Sequence, residues 1–204
     1  AAGLKLKPSK CSVLQRRVTF LGHLVTAEGI ATDPQKIQAV TDWPVPTSVR
    51  EVRAFVGLAS YYRRFVKGFA EIAPLHALTK KNARFSWTEE HEQAFKELKR
   101  ALVEAPILVT PDDAHEFILD TDASNHSMGA VLSMIIDGQE HVVAYASRVF
   151  SKCERNYCVT RRELLAVVTF LKQFKQYLLG RHFVVRTDHS ALQWFRRSKE
   201  LIGQ

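Results

Sequence analysis

The second half of the chain alternates between strand-like and helix-like patterns of apolar residues. Residues 115–121, 127–136 and 140–147 have the alternating, β-branched character of strands, with a hairpin turn between the last two. A helical spacing of apolar residues follows from Thr160 to Leu179, and a short apolar strand follows at residues 183–187. A further helix is expected just after that strand. The order β-β-β-α-β-α predicts an α/β domain whose fourth strand crosses over to join the sheet.

The first half of the chain is mainly helical in its pattern. Residues 17–31 predict a β-hairpin with a turn at residues 27–29, and a short helix then begins at Asp33-Pro34. After Trp43-Pro44, apolar residues at helical spacing predict helices over the ranges 49–66, 72–78 and 89–105. Tyr62 lies on the apolar face of the first of these helices and is expected in the core. Over its whole length the chain is therefore expected to be α+β.

Positive charge is concentrated in the first half. The 204 residues carry a formal net charge of +8; residues 1–110 contain 17 Lys and Arg against 10 Asp and Glu, whereas residues 111–204 contain 12 against 11. An excess confined to one half predicts a polyanionic partner there, because each phosphate contact releases condensed counterions. Nucleic acid is the natural candidate, and a merely solvated basic surface is the alternative.

The composition is that of an ordinary globular protein. Hydrophobic residues make up 46% of the chain, which is enough to build a buried core. No apolar run approaches the roughly 20 residues needed to cross a bilayer, and residues 1–10 lack the apolar stretch of a secretory signal. We therefore expect a soluble, intracellular protein. The cysteines Cys11, Cys153 and Cys158 form no C-x-x-C pair and are expected to be reduced thiols.

Three acidic residues stand where strand ends and a helix start can meet at one edge of the predicted sheet. Asp122 closes the first strand, Glu163 lies in the first turn of the long helix, and Asp188 follows the fourth strand. Clustered carboxylates supply the hard oxygen ligands that Mg²⁺ prefers. Two such ions roughly 3.5–4 Å apart support phosphodiester hydrolysis. The pattern therefore indicates a candidate metal site.

Each of these acids also has an ordinary structural interpretation. The segment from Thr160 to Glu163 fits a capping box, in which the glutamate only bonds the backbone at the helix start. Asp188 fits the N-cap of the following helix, and Asp122 fits a turn residue before Ser124. Spacing alone leaves both interpretations open.

Four ordered motifs resemble the ribonuclease H domain of gypsy-type long-terminal-repeat retrotransposon polyproteins. The motifs are Phe117-Ile-Leu-Asp-Thr-Asp122-Ala-Ser, Ala144-Tyr-Ala-Ser-Arg, Thr160-Arg-Arg-Glu163-Leu-Leu-Ala-Val and Val185-Arg-Thr-Asp188-His-Ser-Ala-Leu. Upstream, Phe20-Leu-Gly-His23, Tyr61-Tyr-Arg-Arg-Phe65 and Phe85-Ser-Trp-Thr88 are similar to the reverse transcriptase of the same polyproteins. The resemblance extends over nearly the whole chain.

The resemblance implies a division into three parts. Residues 1–44 would be the end of the reverse transcriptase palm, residues 45–108 a helical thumb or linker, and residues 109–204 a ribonuclease H-like domain that is incomplete at its C-terminus. The parent enzyme would copy RNA into DNA and hydrolyse the RNA strand of RNA/DNA hybrids, acting on a template–primer within the Pol polyprotein. Asp122, Glu163 and Asp188 would be catalytic and would hold two Mg²⁺ ions.

The resemblance also implies a nucleic-acid surface in the first half. Phe20, Leu21, Gly22 and His23 would form the primer-grip hairpin that positions the growing 3′ end. In the thumb, basic side chains interleaved with aromatic ones suit a surface that follows a nucleic-acid backbone. The basic residues expected to bind nucleic acid there are Arg63, Arg64 and Lys67.

Two catalytic centres of the family are incomplete in this sequence. A Tyr-x-Asp-Asp hairpin is absent, and the one acid after Asp188 is Glu200, which follows too soon to be the family's fourth ligand. We therefore expect the chain alone to be inactive or nearly so. The alternative is a non-catalytic nucleic-acid-binding remnant of a retroelement. A purely structural domain with the same fold would lack the three acids, which disfavours that third interpretation.

Overall fold

The computed structural model describes Lys7 together with residues 14–81 and 83–189. The strands are β1 (Arg17–Phe20), β2 (His23–Thr26), β3 (Ile30–Thr32), β4 (Phe117–Ala123), β5 (Ser127–Ile136), β6 (Gln139–Val149) and β7 (Phe183–Thr187). The helices are α1 (Pro34–Thr41), α2 (Val49–Tyr61), α3 (Ala73–Leu78), α4 (Glu89–Val103), α5 (Val159–Gln173) and α6 (Lys175–Leu178). Short 3₁₀ turns lie at Arg63–Phe65, Phe69–Ile72 and Glu154–Asn156.

The first three strands form a small antiparallel sheet in the order β1-β2-β3. The sequence predicted one hairpin here, but the chain also turns tightly at Leu21 and Gly22, so that Phe20 pairs with His23. Both turn residues have positive φ, 47° and 70°, a conformation that glycine adopts readily and leucine rarely. This turn was missed because its leucine carries no local turn signal.

Helix α2 is shorter than the apolar spacing predicted. Ser48 caps its N-terminus by accepting a hydrogen bond of 3.3 Å from the Glu51 N–H. The helix ends before Tyr62, which is fully buried and donates a hydrogen bond of 2.6 Å from its hydroxyl to the Gly22 carbonyl. The prediction that Tyr62 lies in the core is therefore confirmed. The chain leaves helical geometry at the residue whose side chain reaches the N-terminal sheet.

A first hydrophobic core holds the helices of the first half together with Leu108, which follows α4. Phe55 and Phe95 are both buried, and their ring centroids lie 4.6 Å apart. Fully burying a large apolar side chain contributes about 1.5–3 kcal/mol. The fully buried large side chains of this core are Phe55, Tyr62, Phe65, Leu75, Leu98, Leu102 and Leu108.

The second sheet has the strand order β6-β5-β4-β7. β4, β5 and β6 form an antiparallel meander, whereas β7 pairs parallel to β4 from Phe117↔Phe183 to Thr121↔Thr187. A parallel pair requires a crossover connection, and α5 provides it. The predicted α/β class and the order β-β-β-α-β are confirmed. The helix predicted after Asp188 lies outside the described residues.

Helix α5 packs against β4 and β5 and builds a second hydrophobic core. Its buried residues Ala166 and Phe170 face Phe117 and Leu119 in β4 and their neighbours in β5 and β6. The sequence predicted one helix as far as Leu179, but α5 ends at Gln173 and the short α6 follows. Among the described helices, none is long and apolar enough to cross a membrane.

Backbone hydrogen bonds tie the two cores together at Leu108 and Val109. Leu108 exchanges two hydrogen bonds of 2.8 Å with Ile30 in β3, and the Val109 N–H donates at 2.9 Å to the Val142 carbonyl in β6. The Ala70 N–H adds a bond of 2.8 Å to Ser147 Oγ. The domain boundaries after residues 44 and 108 stay predictions.

We predict that Gly29→Ala destabilises the fold by about 3 kcal/mol or more. Gly29 has a φ of +140°, and a Cβ there would overlap the Leu108 carbonyl that accepts the Ile30 hydrogen bond. Chemical denaturation measures the loss. Gly57→Ala is the matched control, because Gly57 lies in α2 with open space around it and should gain about 0.5–1 kcal/mol from helix propensity. Equal effects of the two substitutions would contradict this account.

Candidate metal centre

Asp122 lies near the end of β4, close to Glu163 of α5. It pairs with Gly129 in β5, and its side chain is exposed, whereas Thr121 before it is buried. Alternation along a strand therefore places the Asp122 carboxylate on the open face. The turn role considered for Asp122 falls to Ser124, whose hydroxyl accepts hydrogen bonds from the N–H groups of His126 and Ser127.

Glu163 lies on the buried face of α5, with 4% of its surface exposed. The capping-box interpretation is wrong, because α5 begins at Val159 and its N-cap residue is Cys158, so that Thr160 already lies inside the helix. The Glu163 carboxylate instead accepts a hydrogen bond from the Ala123 N–H at the end of β4. Its Oε2 atom is buried and has no hydrogen-bond partner among the described residues.

Asp188 follows directly after β7. The parallel pairing of β4 and β7 ends at Thr121↔Thr187, so Asp188 emerges at the same end of the sheet as Asp122. Its side chain is exposed. Whether it caps a following helix depends on residues outside the described part of the chain.

The structure brings the three carboxylates together. One oxygen from each of Asp122, Glu163 and Asp188 lies within 4.8 Å of the other two. Burial raises the pKa of Glu163, and the nearby negative charges of Asp188 and Asp122 raise it further. The charged form of Glu163 is thus unfavourable in the protein without a cation.

This donor set fits a divalent cation with a preference for oxygen. Magnesium takes one or more carboxylates and keeps several waters, and it needs an open side for a phosphate. Here Glu163 is buried at the base while Asp122 and Asp188 are exposed at the rim. The unpartnered Glu163 Oε2 is the atom that a bound cation would satisfy.

Sequence reasoning missed Arg162, which is 8% exposed and lies beside Glu163. Its Nη1 donates hydrogen bonds of 3.2 Å to the Ser124 carbonyl and 2.9 Å to Asn125 Oδ1. Arg162 therefore ties α5 to the β4–β5 turn that follows Asp122. Arg162, Ala166 and Phe170 are spaced four residues apart and so share one face of α5. This spacing could have predicted that Arg162 is buried.

A comparison with protein families matches residues 87–185 to the RNase H-like domain found in reverse transcriptase. Residues 87–185 are thus similar to an RNase H-like domain of reverse transcriptases. The matched range includes Asp122 and Glu163, whereas Asp188 lies just beyond its end.

The chain is also similar to retrovirus-related Pol polyproteins over nearly its full length. It is 42% identical to the Pol polyprotein from transposon 297 of Drosophila melanogaster, over 98% of this chain and 19% of the relative. It is 34% identical to the transposon Tf2-3 polyprotein of Schizosaccharomyces pombe, over 94% of this chain and 15% of the relative. The resemblance to retrotransposon Pol polyproteins is confirmed. The chain spans less than a fifth of the length of these relatives.

Solved structures with a similar fold include the foamy viral protease-reverse transcriptase. The structure of that protein in complex with dsDNA has a TM-score of 0.79 and 25% identity, covering 93% of this chain and 40% of the other. The structure in complex with an RNA/DNA hybrid has a TM-score of 0.75 and 25% identity, covering 95% and 27%. The similarity covers the helical first half as well as the RNase H-like domain.

The residues expected to form a primer grip lie at the tight turn between β1 and β2. Phe20 and Leu21 expose 63% and 71% of their surfaces, so both are available for contact. The hydroxyls of Tyr61 and Tyr62 donate hydrogen bonds to the Leu21 and Gly22 carbonyls. These two tyrosines at the end of α2 thus hold the turn in place. A contact between the turn and nucleic acid stays a prediction.

The three basic residues after α2 differ in their surroundings. Arg63 donates a hydrogen bond of 3.1 Å to the Ser147 carbonyl, and Arg64 donates one of 3.4 Å to the Val143 carbonyl, both in β6. Lys67 is exposed. Arg63 and Arg64 therefore tie the helical half to the RNase H-like sheet, whereas Lys67 has its ammonium group in solvent.

A cleft of about 990 Å³ separates the helical half from the open face of the sheet. Lys67, Glu71 and His91 line one side, and Asp120 and Asp122 line the other. Asp122 is therefore shared by the carboxylate cluster and the cleft. A polyanion in the cleft would lie between the basic half and the candidate metal centre.

We predict that Glu163→Gln raises stability at pH 7 in the presence of a chelator, because it removes a buried charge that Asp122 and Asp188 repel. Because the pKa of Glu163 is raised in the folded state, its protonated form contributes fully to stability below about pH 4.5. That contribution is lost as the pH rises through the folded-state pKa, where Glu163 becomes charged. The gain from Glu163→Gln should therefore disappear in acid. Chemical denaturation across this pH range measures it.

Glu97→Gln is the matched control for this substitution. Glu97 is exposed in α4, so the same change there should alter stability by less than about 0.5 kcal/mol at either pH. A loss of stability in Glu163→Gln at neutral pH without metal would contradict the interpretation of Glu163 as a disfavoured buried charge.

Proposed function

We propose that Asp122, Glu163 and Asp188 bind a divalent cation, with Mg²⁺ as the natural ion, and form a nuclease centre for RNA/DNA hybrids. The observation that carries the proposal is the convergence of three carboxylates around an unpartnered, buried glutamate oxygen. When bound, such an ion stabilises charge on a phosphoryl oxygen and lowers the pKa of a bound water. Glu163 anchors the base of the site, and the exposed Asp122 and Asp188 leave its outer side open to a phosphate.

The wider activity belongs to the longer polyprotein in this proposal. A Pol polyprotein of this kind would copy RNA into DNA and remove the RNA strand of the resulting hybrid. The first half of this chain would contribute contacts to the template–primer, and the RNase H-like domain would contribute the hydrolytic site. Support comes from the match of residues 87–185 and from the similarity to retrovirus-related Pol polyproteins.

The isolated chain is proposed to cleave hybrids slowly or not at all. The cluster found among the described residues has three carboxylates, which suit one well-held ion better than two. A non-catalytic nucleic-acid-binding remnant is the second candidate function, and the uneven positive charge of the first half favours it. Binding without cleavage is expected from both, so metal binding at the carboxylates discriminates between them.

We predict that Mg²⁺ raises the melting temperature of the chain, because an ion that binds only the folded state stabilises it. At about 100 times the dissociation constant the gain is about 2.7 kcal/mol. Glu163→Gln should abolish the Mg²⁺-dependent rise, although the same variant is more stable in chelator. Differential scanning calorimetry at constant ionic strength measures both.

The Glu97→Gln control should keep the full Mg²⁺-dependent rise. An equal rise in Glu163→Gln would exclude the three carboxylates as the binding site. If neither the unsubstituted chain nor the control responds to Mg²⁺ or Mn²⁺, the metal proposal is wrong and the non-catalytic candidate is favoured.

Lys67→Ala is predicted to weaken binding to an RNA/DNA hybrid and to reduce the slope of log K against log salt by about 1. Lys67 lies on the helical side of the cleft and is exposed, so it is placed to contact a phosphate. Fluorescence anisotropy with a labelled hybrid at several salt concentrations measures the affinity. Lys172→Ala, at the far end of α5, removes the same charge away from the cleft and should change neither quantity.

The same samples test for cleavage in Mg²⁺. Little or no cleavage is expected from the isolated chain. Cleavage that disappears in Glu163→Gln would show that the described carboxylates suffice for hydrolysis, and it would overturn the proposed inactivity while supporting the nuclease assignment. A salt slope that is unchanged in Lys67→Ala would exclude Lys67 from the interface.

A further inference from the structure

A hydrogen bond joins the two elements that carry Glu163 and Asp188. Thr160 Oγ1, in the first turn of α5, lies 2.8 Å from Nε2 of His189, the residue after Asp188. Both side chains are partly buried. Thr160 precedes Glu163 by three positions, which places the two on neighbouring parts of the helix surface. The bond therefore spans the gap between two of the three carboxylates.

The backbone alone does not hold Asp188 beside Glu163. The ladder between β4 and β7 ends at Thr187, so Asp188 lies beyond the last strand pair. A helix and a strand share no backbone hydrogen bonds, so side chains must set the distance between α5 and the end of β7. The negative charges of Asp122, Glu163 and Asp188 oppose that approach in the absence of a cation.

We propose that Thr160 and His189 are positioning residues that hold the carboxylate cluster at metal-binding spacing. The inference rests on the proposed function, since the role of the pair is to preorganise that metal centre. The bond adds no negative charge to the cluster. It also leaves the helix start intact, because Cys158 and not Thr160 is the N-cap residue of α5.

A second contact makes the position of His189 more definite. Its backbone N–H donates a hydrogen bond of 3.3 Å to Thr187 Oγ1, which closes a turn around Asp188. The chain therefore bends back towards α5 immediately after β7. The imidazole then reaches Thr160, so Asp188 lies between two anchored residues.

The test compares Mg²⁺ affinity, by calorimetric titration, in the full chain and in Thr160→Val. Valine keeps the shape of threonine and removes the hydroxyl, and it leaves the histidine and its charge in place. Loss of a group that orients metal ligands typically weakens binding 10–100-fold, and we expect about tenfold here. Thr160→Ser restores the hydroxyl and should restore most of the affinity.

Thr169→Val is the matched control. It makes the same substitution further along α5 and carries the same change in helix propensity. It should leave Mg²⁺ affinity unchanged. The ¹⁵N resonance of His189 Nε2 provides a metal-free readout, which should shift in Thr160→Val and return in Thr160→Ser.

The outcomes separate this inference from the proposed function. If the unsubstituted chain binds Mg²⁺ and Thr160→Val binds it equally well, the positioning role is excluded while the metal centre stands. If Thr160→Ser binds as weakly as Thr160→Val, the hydroxyl is not the cause and the inference is again overturned. If the unsubstituted chain binds no divalent ion, the proposed metal centre fails and the positioning role fails with it.

Discussion

Three carboxylates that repel one another lie close together in the second half of the chain, and the structure around them must offset that repulsion. Asp122, Glu163 and Asp188 offer oxygens within 4.8 Å of one another, and Glu163 is buried as well. Such an arrangement is unfavourable without a cation, so the surrounding structure must hold it in place. The parallel pairing of β4 and β7 and the packing of α5 on β4 supply that support. The clustered carboxylates thus lower the stability of the fold, and a cation bound between them would restore it.

The same logic explains why the hydrogen bonds around the cluster come from neutral groups or from a cation. The Ala123 N–H donates to Glu163, and Arg162 holds the turn after Asp122 through Ser124 and Asn125. None of these partners adds a further negative charge to the site. A buried arginine beside a buried glutamate is costly unless its donors are satisfied, and two hydrogen bonds from Nη1 satisfy part of that need.

Much of the fold could be predicted from local patterns. Alternation identified β4, β5 and β6, a short apolar run identified β7, and helical spacing identified α4 and α5. Patterns failed where a tertiary contact decides the backbone. The Leu21 turn has positive φ, and the hydroxyls of Tyr61 and Tyr62, which lie far along the chain, donate hydrogen bonds to its carbonyls. The position of Asp122, Glu163 and Asp188 in one cluster likewise depends on the crossover through α5. Their individual spacing was equally compatible with caps and turns.

The uneven charge of the chain is compatible with the chemistry proposed for the carboxylate cluster. A site built from Asp122, Glu163 and Asp188 repels a nucleic-acid backbone unless a cation and a separate basic surface offset that repulsion. The helical half carries the excess of Lys and Arg, and it faces the open side of the sheet across the cleft. Arg63 and Arg64 bind that half to β6, and Lys67 remains exposed on the cleft side. In this proposal the helical half would attract the nucleic-acid backbone and the carboxylate cluster would hold the catalytic cation. The contacts between the two cores would set the distance between these two surfaces.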